Sequence, residues 1–172
     1  MIDMSKNSKK FGYTLVEMIV YVAVISLISL VIVNTTLSFS RSYRHLQALR
    51  IVDDSGSGAM ERMTRDIRAA STIDVANSTL GSSPGVLTVI ATANSISTTT
   101  KFYLQNNIAK ADVNGSYFGP LTLSTATTTS LVFTKLDSPI SHAIKIDMTV
   151  VATVGGVTKT KNYHSTIILK GL

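Results

Sequence analysis

The sequence predicts an α+β protein in which one long, membrane-spanning N-terminal helix precedes a C-terminal antiparallel β-sheet domain. Residues 18–40 contain no charged side chain, which indicates the helix. Beyond residue 71 the composition shifts to Thr, Ser, Val and Ile, with turn residues about every ten positions, which is typical of short antiparallel strands. The length of 172 residues suits a single core better than two full domains.

The overall composition excludes several classes of function. Charged residues make up only 15% of the chain, so ordinary cytoplasmic solubility is not expected. The net charge of +6 is spread along the chain rather than gathered into a tract, which weakens the case for a dedicated nucleic-acid surface. Cysteine is absent, which excludes disulfides, thiol nucleophiles and cysteine-containing metal sites.

The apolar N-terminal run is long enough to cross a bilayer. Between residues 13 and 33 the only charged residue is Glu17. As a helix, this run would cover roughly 30 Å, the thickness of the hydrocarbon core. Three lysines precede it and Arg41 and Arg44 follow it, and the short basic tail favours an N-in, C-out orientation.

The position of the small residue next to this run is unusual. A secretory signal ends its apolar run with a small-residue cleavage site, whereas here Gly12 precedes the run. The run itself continues into helix-compatible sequence after residue 33. An ordinary cleaved signal is therefore not expected.

Residues 9–17 read KKFGYTLVE and, with the apolar run, resemble the class III signal of type IV prepilins and pseudopilins. In that family a membrane peptidase cuts after the glycine, and the apolar run remains as the spine of a filament. The resemblance implies cleavage between Gly12 and Tyr13 and methylation of the new N-terminus at Tyr13. It also implies that Lys9 and Lys10 supply the charge of the leader.

The same resemblance gives Glu17 a role in subunit assembly, because the family keeps a glutamate at the fifth mature position. A carboxylate in an apolar helix costs on the order of a few kcal/mol unless it finds a partner. The family's partner is the cationic N-terminus of a neighbouring subunit, which is largely protonated at neutral pH. The alternative is a glutamate that simply lies near the membrane edge. Asn34 stands where major pilins often have a helix-bending proline, which favours a minor pilin or a pseudopilin.

After the membrane span, the sequence predicts a helix with an interruption. Tyr43, Leu46 and Leu49 recur at three-residue spacing and predict one apolar stripe. Residues 55–58 read SGSG, and their low helix propensity predicts a kink, a break or a melted turn. Asp53 and its neighbour could begin a calcium loop, although the remaining ligand spacing is missing. A second stripe, which we expect to lie on the sheet, comprises Met60, Met63, Ile67 and Ala70.

Six strands are expected in the C-terminal part: residues 86–92, 99–105, 108–112, 130–136, 144–154 and 157–169. Asn106-Asn107, Asn114-Gly115 and Gly155-Gly156 are turn signals. Pairing across the last of these turns places Met148 opposite Tyr163 and Ile144 opposite Ile167.

The same register places Val150 opposite Lys161 and Ala152 opposite Lys159. We therefore expect the tip of this last hairpin to project beyond the core, where Lys159 and Lys161 could contact a ligand.

Two further stretches, residues 65–70 and 101–110, resemble parts of the J-type and W-type minor pseudopilins. Together these resemblances predict a pilin-like organisation: a leader at 1–12, a transmembrane or filament-core helix at 13–36, an amphipathic continuation at 37–70 and an extracytoplasmic β-rich domain at 71–172.

Catalytic signatures are not found in the sequence. His45, His142 and His164 are isolated, with no carboxylate or second histidine at ligand spacing, so we expect them to be surface or sheet residues. No serine lies in a Gly-x-Ser-x-Gly elbow, and no glycine-rich phosphate loop follows a strand. We therefore expect no enzyme activity, no cofactor and no metal.

The function that the sequence favours is that of a structural subunit, a minor pilin or pseudopilin of a type IV pilus or a type II secretion-like filament. The expected partners are a prepilin peptidase, other subunits, the membrane and the filament assembly platform. The expected location is the inner membrane and then an extracytoplasmic filament. The alternatives are an uncleaved membrane anchor, a surface binding module, or a pilus-tip adhesin that binds glycan or DNA.

Overall fold

The computed structural model describes residues 12–137 and 142–169. The chain forms two compact units, Met1–Ser42 and Tyr43–Leu172. Helix α1, Leu15–Ala69, begins in the first unit and ends in the second. Lys9 and Lys10, the predicted charges of the leader, lie outside the described residues.

In the first unit, α1 exposes its apolar side chains. Its most apolar 18-residue window has a mean hydropathy of 2.7 and is 0% buried, and α1 is long and apolar enough to cross a membrane. The hydroxyls of Ser26, Thr35 and Thr36 donate to the carbonyls four residues earlier, at 2.7, 2.8 and 2.9 Å. These polar groups are therefore satisfied within the helix, as an apolar surrounding requires.

In the second unit, eight strands form two antiparallel sheets. The first sheet has the order β1-β2-β3-β4-β5 and the second has the order β6-β7-β8. The strands are β1 Thr72–Ile73, β2 Val86–Ala93, β3 Ile96–Gln105, β4 Ile108–Val113, β5 Ser116–Pro120, β6 Thr127–Asp137, β7 His142–Val154 and β8 Val157–Ile168.

Both sheets and the C-terminal part of α1 share one core. The largest fully buried side chains of this core are Phe102 on β3 and Phe133 on β6. The predicted stripe of α1 is confirmed, because Met60, Met63 and Ile67 are all buried, as is Ala70 just after the helix. The expected α+β architecture, with a long N-terminal helix and antiparallel sheets in a pilin-like arrangement, is therefore correct.

The predicted break near residues 55–58 is wrong, because α1 is continuous through them. Gly56 faces the ring of Tyr163 so closely that a Cβ atom at this position would overlap the ring. Ser55 is also buried, and its hydroxyl accepts a hydrogen bond of 3.1 Å from the amide of Leu123. Because small residues let the helix and sheet approach each other, packing outweighs their low helix propensity.

The apolar stripe that begins at Tyr43 is present on α1, but it is not the face that is buried against the sheet. Tyr43 is 63% exposed and Leu46 is 56% exposed, whereas Ala48 and Val52 are fully buried. The residues that face the sheet are small or branched and follow a different line along the helix. Large apolar side chains marked the periodicity in the sequence, but the close approach of the sheet selects small ones.

All six predicted strands are present, with ends that differ by up to three residues. The structure adds β1 and β5, which were not predicted because they have two and five residues. The three turn signals are confirmed, since both residues of each turn have positive φ. The register of the last hairpin is confirmed as well, with Met148 opposite Tyr163 and Ile144 opposite Ile167.

The tip of this hairpin does not project beyond the core. Val150 and Ala152 near the tip are buried, at 0% and 2% exposure. At the turn, Nη1 of Arg44 donates a hydrogen bond of 3.2 Å to the carbonyl of Gly155. The lysines opposite Val150 and Ala152 had suggested a solvated tip, but α1 covers this end of the sheet.

Gly56 and Gly58 provide a matched test of the helix–sheet contact. We expect Gly56→Ala to destabilise the protein by about 1–3 kcal/mol, because the new methyl group displaces Tyr163. Gly58 has open space where a Cβ would lie, so Gly58→Ala should stabilise by about 0.5–1 kcal/mol through helix propensity. Chemical unfolding of the full chain in detergent measures the free energy of unfolding of both variants. Equal stabilisation by the two substitutions would contradict the close contact at Gly56.

Candidate functional site

The candidate site lies where α1 begins. Residues 12–14 precede the helix without regular secondary structure, and both Gly12 and Tyr13 are exposed. Thr14 caps the helix, because its Oγ1 accepts a hydrogen bond of 3.2 Å from the amide of Glu17. The bond between Gly12 and Tyr13 therefore lies in exposed, non-helical backbone just before the helix.

Glu17 lies one turn inside the helix and contacts a residue that the sequence analysis did not single out. The hydroxyl of Tyr21 donates a hydrogen bond of 3.0 Å to Oε1 of Glu17. The ring of Tyr13 packs edge-on against Tyr21, with 6.3 Å between the ring centroids. The i,i+4 spacing of Glu17 and Tyr21 is the signal that could have revealed this contact.

The geometry leaves Glu17 able to accept one more donor. Within residues 12–137 and 142–169, Oε2 of Glu17 makes no hydrogen bond. Its place in the first turn favours a negative charge, because the helix N-terminus carries partial positive charge. A cationic group from outside this unit could therefore bind Oε2 while Tyr21 holds Oε1.

Lys161, one of the two predicted ligand contacts, bonds to helix α1. Its Nζ donates a hydrogen bond of 2.6 Å to Oδ1 of Asp53. This bond lowers the pKa of Asp53 and raises that of Lys161. The hydroxyl of Tyr163 adds bonds of 3.0 Å to the carbonyl of Val52 and 3.2 Å to Asp53, and burial raises the pKa of Tyr163. The ligand-contact role of Lys159 and Lys161 stays a prediction.

The structure corrects the view that the histidines are isolated. Nδ1 of His164 lies 2.6 Å from Oδ1 of Asp147 on the neighbouring strand, and Nδ1 of His142 lies 2.8 Å from Oδ1 of Asp137. The hydrogen bond from His164 lowers the pKa of Asp147. Strand pairing brings each pair together, although the partners lie 5 and 17 residues apart in sequence, and both histidines remain exposed on the sheet surface.

Metal binding finds no support in the described part of the chain. Across those residues no group of three or more His, Asp or Glu side chains could hold an ion. Asp53, which the calcium hypothesis invoked, is instead bonded to β8.

One comparison with known proteins gives a match, and it covers this site. The family model described as "Prokaryotic N-terminal methylation motif" matches residues 7–33, which include Gly12, Tyr13 and Glu17. No curated protein and no solved structure matches the chain.

This match supports a type IV pilin-like or pseudopilin-like subunit, a class of structural proteins. It implies processing by a prepilin peptidase and assembly with other pilins. Together with the apolar helix, it indicates membrane anchoring.

The Asp53 contact predicts how stability depends on pH. The pKa of Asp53 is lowered below its ordinary value of 3.8, so the folded state binds fewer protons than the unfolded state. The stabilisation is therefore present above pH 3.8 and is lost as the pH falls through the lower, folded-state pKa. We expect Asp53→Asn to lower the denaturation midpoint at pH 7 but to match the wild type at a pH below the folded-state pKa of Asp53.

The neighbouring Asp54 is the control for this experiment, because it lies outside the ion pairs of the described residues. Asp54→Asn should follow the wild type at both pH values. Urea denaturation of the full chain in detergent gives the midpoints. A deficit of Asp53→Asn that is the same at both pH values would refute the role assigned to the carboxylate charge.

Proposed function

We propose that this chain is a minor pilin or pseudopilin that is trimmed at its N-terminus and then polymerises through α1. The observation that carries the proposal is the arrangement of Gly12, Tyr13 and Glu17 within the matched motif, at the start of a helix whose apolar window is 0% buried. An apolar helix of this length requires lipid or other apolar helices around it. A filament core would surround α1 with other apolar helices.

In the proposed processing step, a prepilin peptidase cuts between Gly12 and Tyr13, and the new amino group of Tyr13 is methylated. The accessible, non-helical backbone at residues 12–14 suits a peptidase, which must reach the scissile bond. Lys9 and Lys10 keep the leader on the cytoplasmic side, so that the β-rich unit is exported.

In the proposed assembly step, Glu17 of one subunit pairs with the cationic N-terminus of another. Packing of apolar helices gives little positional preference along their axes, whereas a charge-assisted hydrogen bond forms at one alignment only, and a charge left unpaired in an apolar surrounding is costly. Glu17 would thus set the axial register of neighbouring subunits. Tyr21 would position Oε1 of the carboxylate and leave Oε2 for the partner's amino group.

Two further features support a minor pseudopilin over a major pilin. The two stretches that resemble J-type and W-type subunits fall on the C-terminal end of α1 and on the β3–β4 hairpin, which turns at Asn106-Asn107. In addition, α1 contains Asn34 where a bending proline would be common in major pilins.

Replacing the glycine tests the processing step. We expect Gly12→Ala to abolish cleavage in the native host, because the resemblance places the cut directly after this glycine. Intact mass and N-terminal sequencing of the membrane-extracted protein should show a chain that begins at methylated Tyr13 in the wild type and an unprocessed chain in the variant. Gly58→Ala is the control and should be processed normally. A wild-type chain that begins at Met1, or after Val33, would refute the proposal.

Replacing Glu17 and Tyr21 tests the assembly step. We expect Glu17→Gln to be cleaved normally but to enter filaments at least about tenfold less, because a pair worth on the order of 1.4 kcal/mol or more is lost. Tyr21→Phe should cause a smaller, roughly three- to tenfold loss, since it removes a single hydrogen bond to a charged group. The amount of each variant in sheared filaments and in membranes is measured by immunoblot.

A double variant separates positioning from general packing. If Tyr21 acts through Glu17, Tyr21→Phe should have no further effect in the Glu17→Gln background. Additive losses would show that Tyr21 acts independently of the carboxylate.

A further inference from the structure

Three of the four sheet edges are closed or interrupted. Strand β5 has only five residues, ends in Pro120 and is paired across a bulge. The outer edge of β6 is bonded by a loop, because the amides of Gly81 and Gly85 each donate a 2.8 Å hydrogen bond to its carbonyls at Phe133 and Leu131. Strand β1 has two residues. Short strands, prolines, bulges and covering loops are the features by which proteins block pairing at an edge.

The fourth edge, on β8, has none of these four features; it carries Lys159 and Lys161, whose charges oppose pairing with another basic strand. Strand β8 has 12 residues, contains no proline, and pairs with β7 along its full length without a bulge. Among the described strands, none pairs with its other side. A long and regular edge therefore presents backbone donors and acceptors.

This open edge lies beside a cleft of about 1340 Å³. One wall of the cleft is β8 at residues 163–165, the floor is the part of α1 between Ser57 and Ala69, and the opposite wall is formed by β1 and the end of β2. Hydroxyl groups from all three elements line it, including Thr64, Thr92 and Ser165. The cleft is open, its lining combines these hydroxyls with apolar side chains such as Met60 and Ala93, and it is bordered by a strand whose other side pairs with none of the described strands.

The charges in the cleft favour an acidic ligand. Arg65 and Arg68 line the floor, and Glu61 is the only carboxylate among the described lining residues. The Arg65 side chain is 64% exposed, and its nearest carboxylate, that of Asp66, lies 3.7 Å away and is bonded more closely by Arg62, at 2.6 Å. Arg68 is exposed as well, so both arginines of the cleft are accessible to a ligand.

We propose that the β8 edge and this cleft bind an extended, acidic segment of another protein, which adds a strand to the β6-β7-β8 sheet. The backbone of the added segment would pair with β8, and its carboxylates would contact Arg65 and Arg68. This interaction is independent of the assembly through α1. Among the described strands, it gives a role to the long, regular edge of β8, whose lysines favour an acidic partner.

A second copy of β8 is a poorer occupant. Strand β8 carries Lys159, Lys161 and His164 and no acidic residue. Antiparallel pairing of two β8 strands would therefore bring like charges close together, which destabilises a sheet. An acidic strand from a different protein avoids this repulsion.

Synthetic peptides test the proposal on the full chain in detergent. The probe is a fluorescent 12-residue peptide of alternating Glu and Val, and its Lys–Val counterpart is the charge control. Anisotropy titrations should show at least about tenfold tighter binding of the acidic peptide. The double variant Arg65→Glu/Arg68→Glu should lose that preference, whereas Arg50→Glu, an exposed arginine of α1 outside the cleft, should keep it.

N-methylated peptides distinguish strand pairing from simple charge attraction. Methyl groups on the alternate amides that face β8 should abolish binding, whereas methyl groups on the other alternate set should be tolerated. Equal binding of both N-methylated peptides, or equal binding of the acidic and basic peptides, would overturn the proposal. So would a β8-mediated dimer of the chain that the acidic peptide does not dissociate, as measured by analytical ultracentrifugation.

Discussion

The close approach of α1 to β8 is the constraint on which most of the second unit depends. Gly56 lies under the ring of Tyr163, and the hydroxyl of Tyr163 bonds to the carbonyl of Val52 and to Asp53. Each contact requires the others, since the ring can reach Val52 only where the helix has no side chain in its path. The contact keeps a Gly- and Ser-rich stretch helical and brings Lys161 to Asp53.

The same contact anchors β8 and leaves its backbone edge open. Around Tyr163 and Lys161 the strand lies against α1, and its inward side chains are used in that contact. Tyr163 itself, with His164 and Ser165, borders the cleft. A regular strand that is anchored by a few side-chain contacts can remain unpaired on its free side without fraying, because β7 pairs with it throughout.

Prediction from sequence succeeded where a single local pattern determined the structure. Alternation in the last hairpin, with the Gly155-Gly156 turn, fixed the register that places Met148 opposite Tyr163. The length of the apolar run alone indicated the exposed helix. Residues 9–17 carried the resemblance that the matched motif supports. These features depend on neighbours in sequence, which a pattern can show.

Prediction failed where distant residues decide the outcome. The continuity of α1 at Gly56 depends on Tyr163, more than a hundred residues away, so local propensity gave the wrong answer. The pairing of His164 with Asp147 depends on strand register. A strand of two residues such as β1 is too short to show an alternation of apolar and polar side chains. The Glu17–Tyr21 contact was visible as an i,i+4 pair, but only the geometry shows that it leaves Oε2 free.

The chain thus combines two kinds of surface that differ in how they select a partner. The exposed apolar helix favours any apolar surrounding, so its specificity must come from the few polar groups it contains, of which Glu17 is the one with a charge between residues 13 and 33. The β8 edge works in the opposite way, because backbone pairing demands an extended strand in register and the arginines of the cleft select its charge. A partner recognised there is selected by its extended backbone and its charge, and it contacts residues 57–69 of α1 rather than the exposed apolar residues before Ser42.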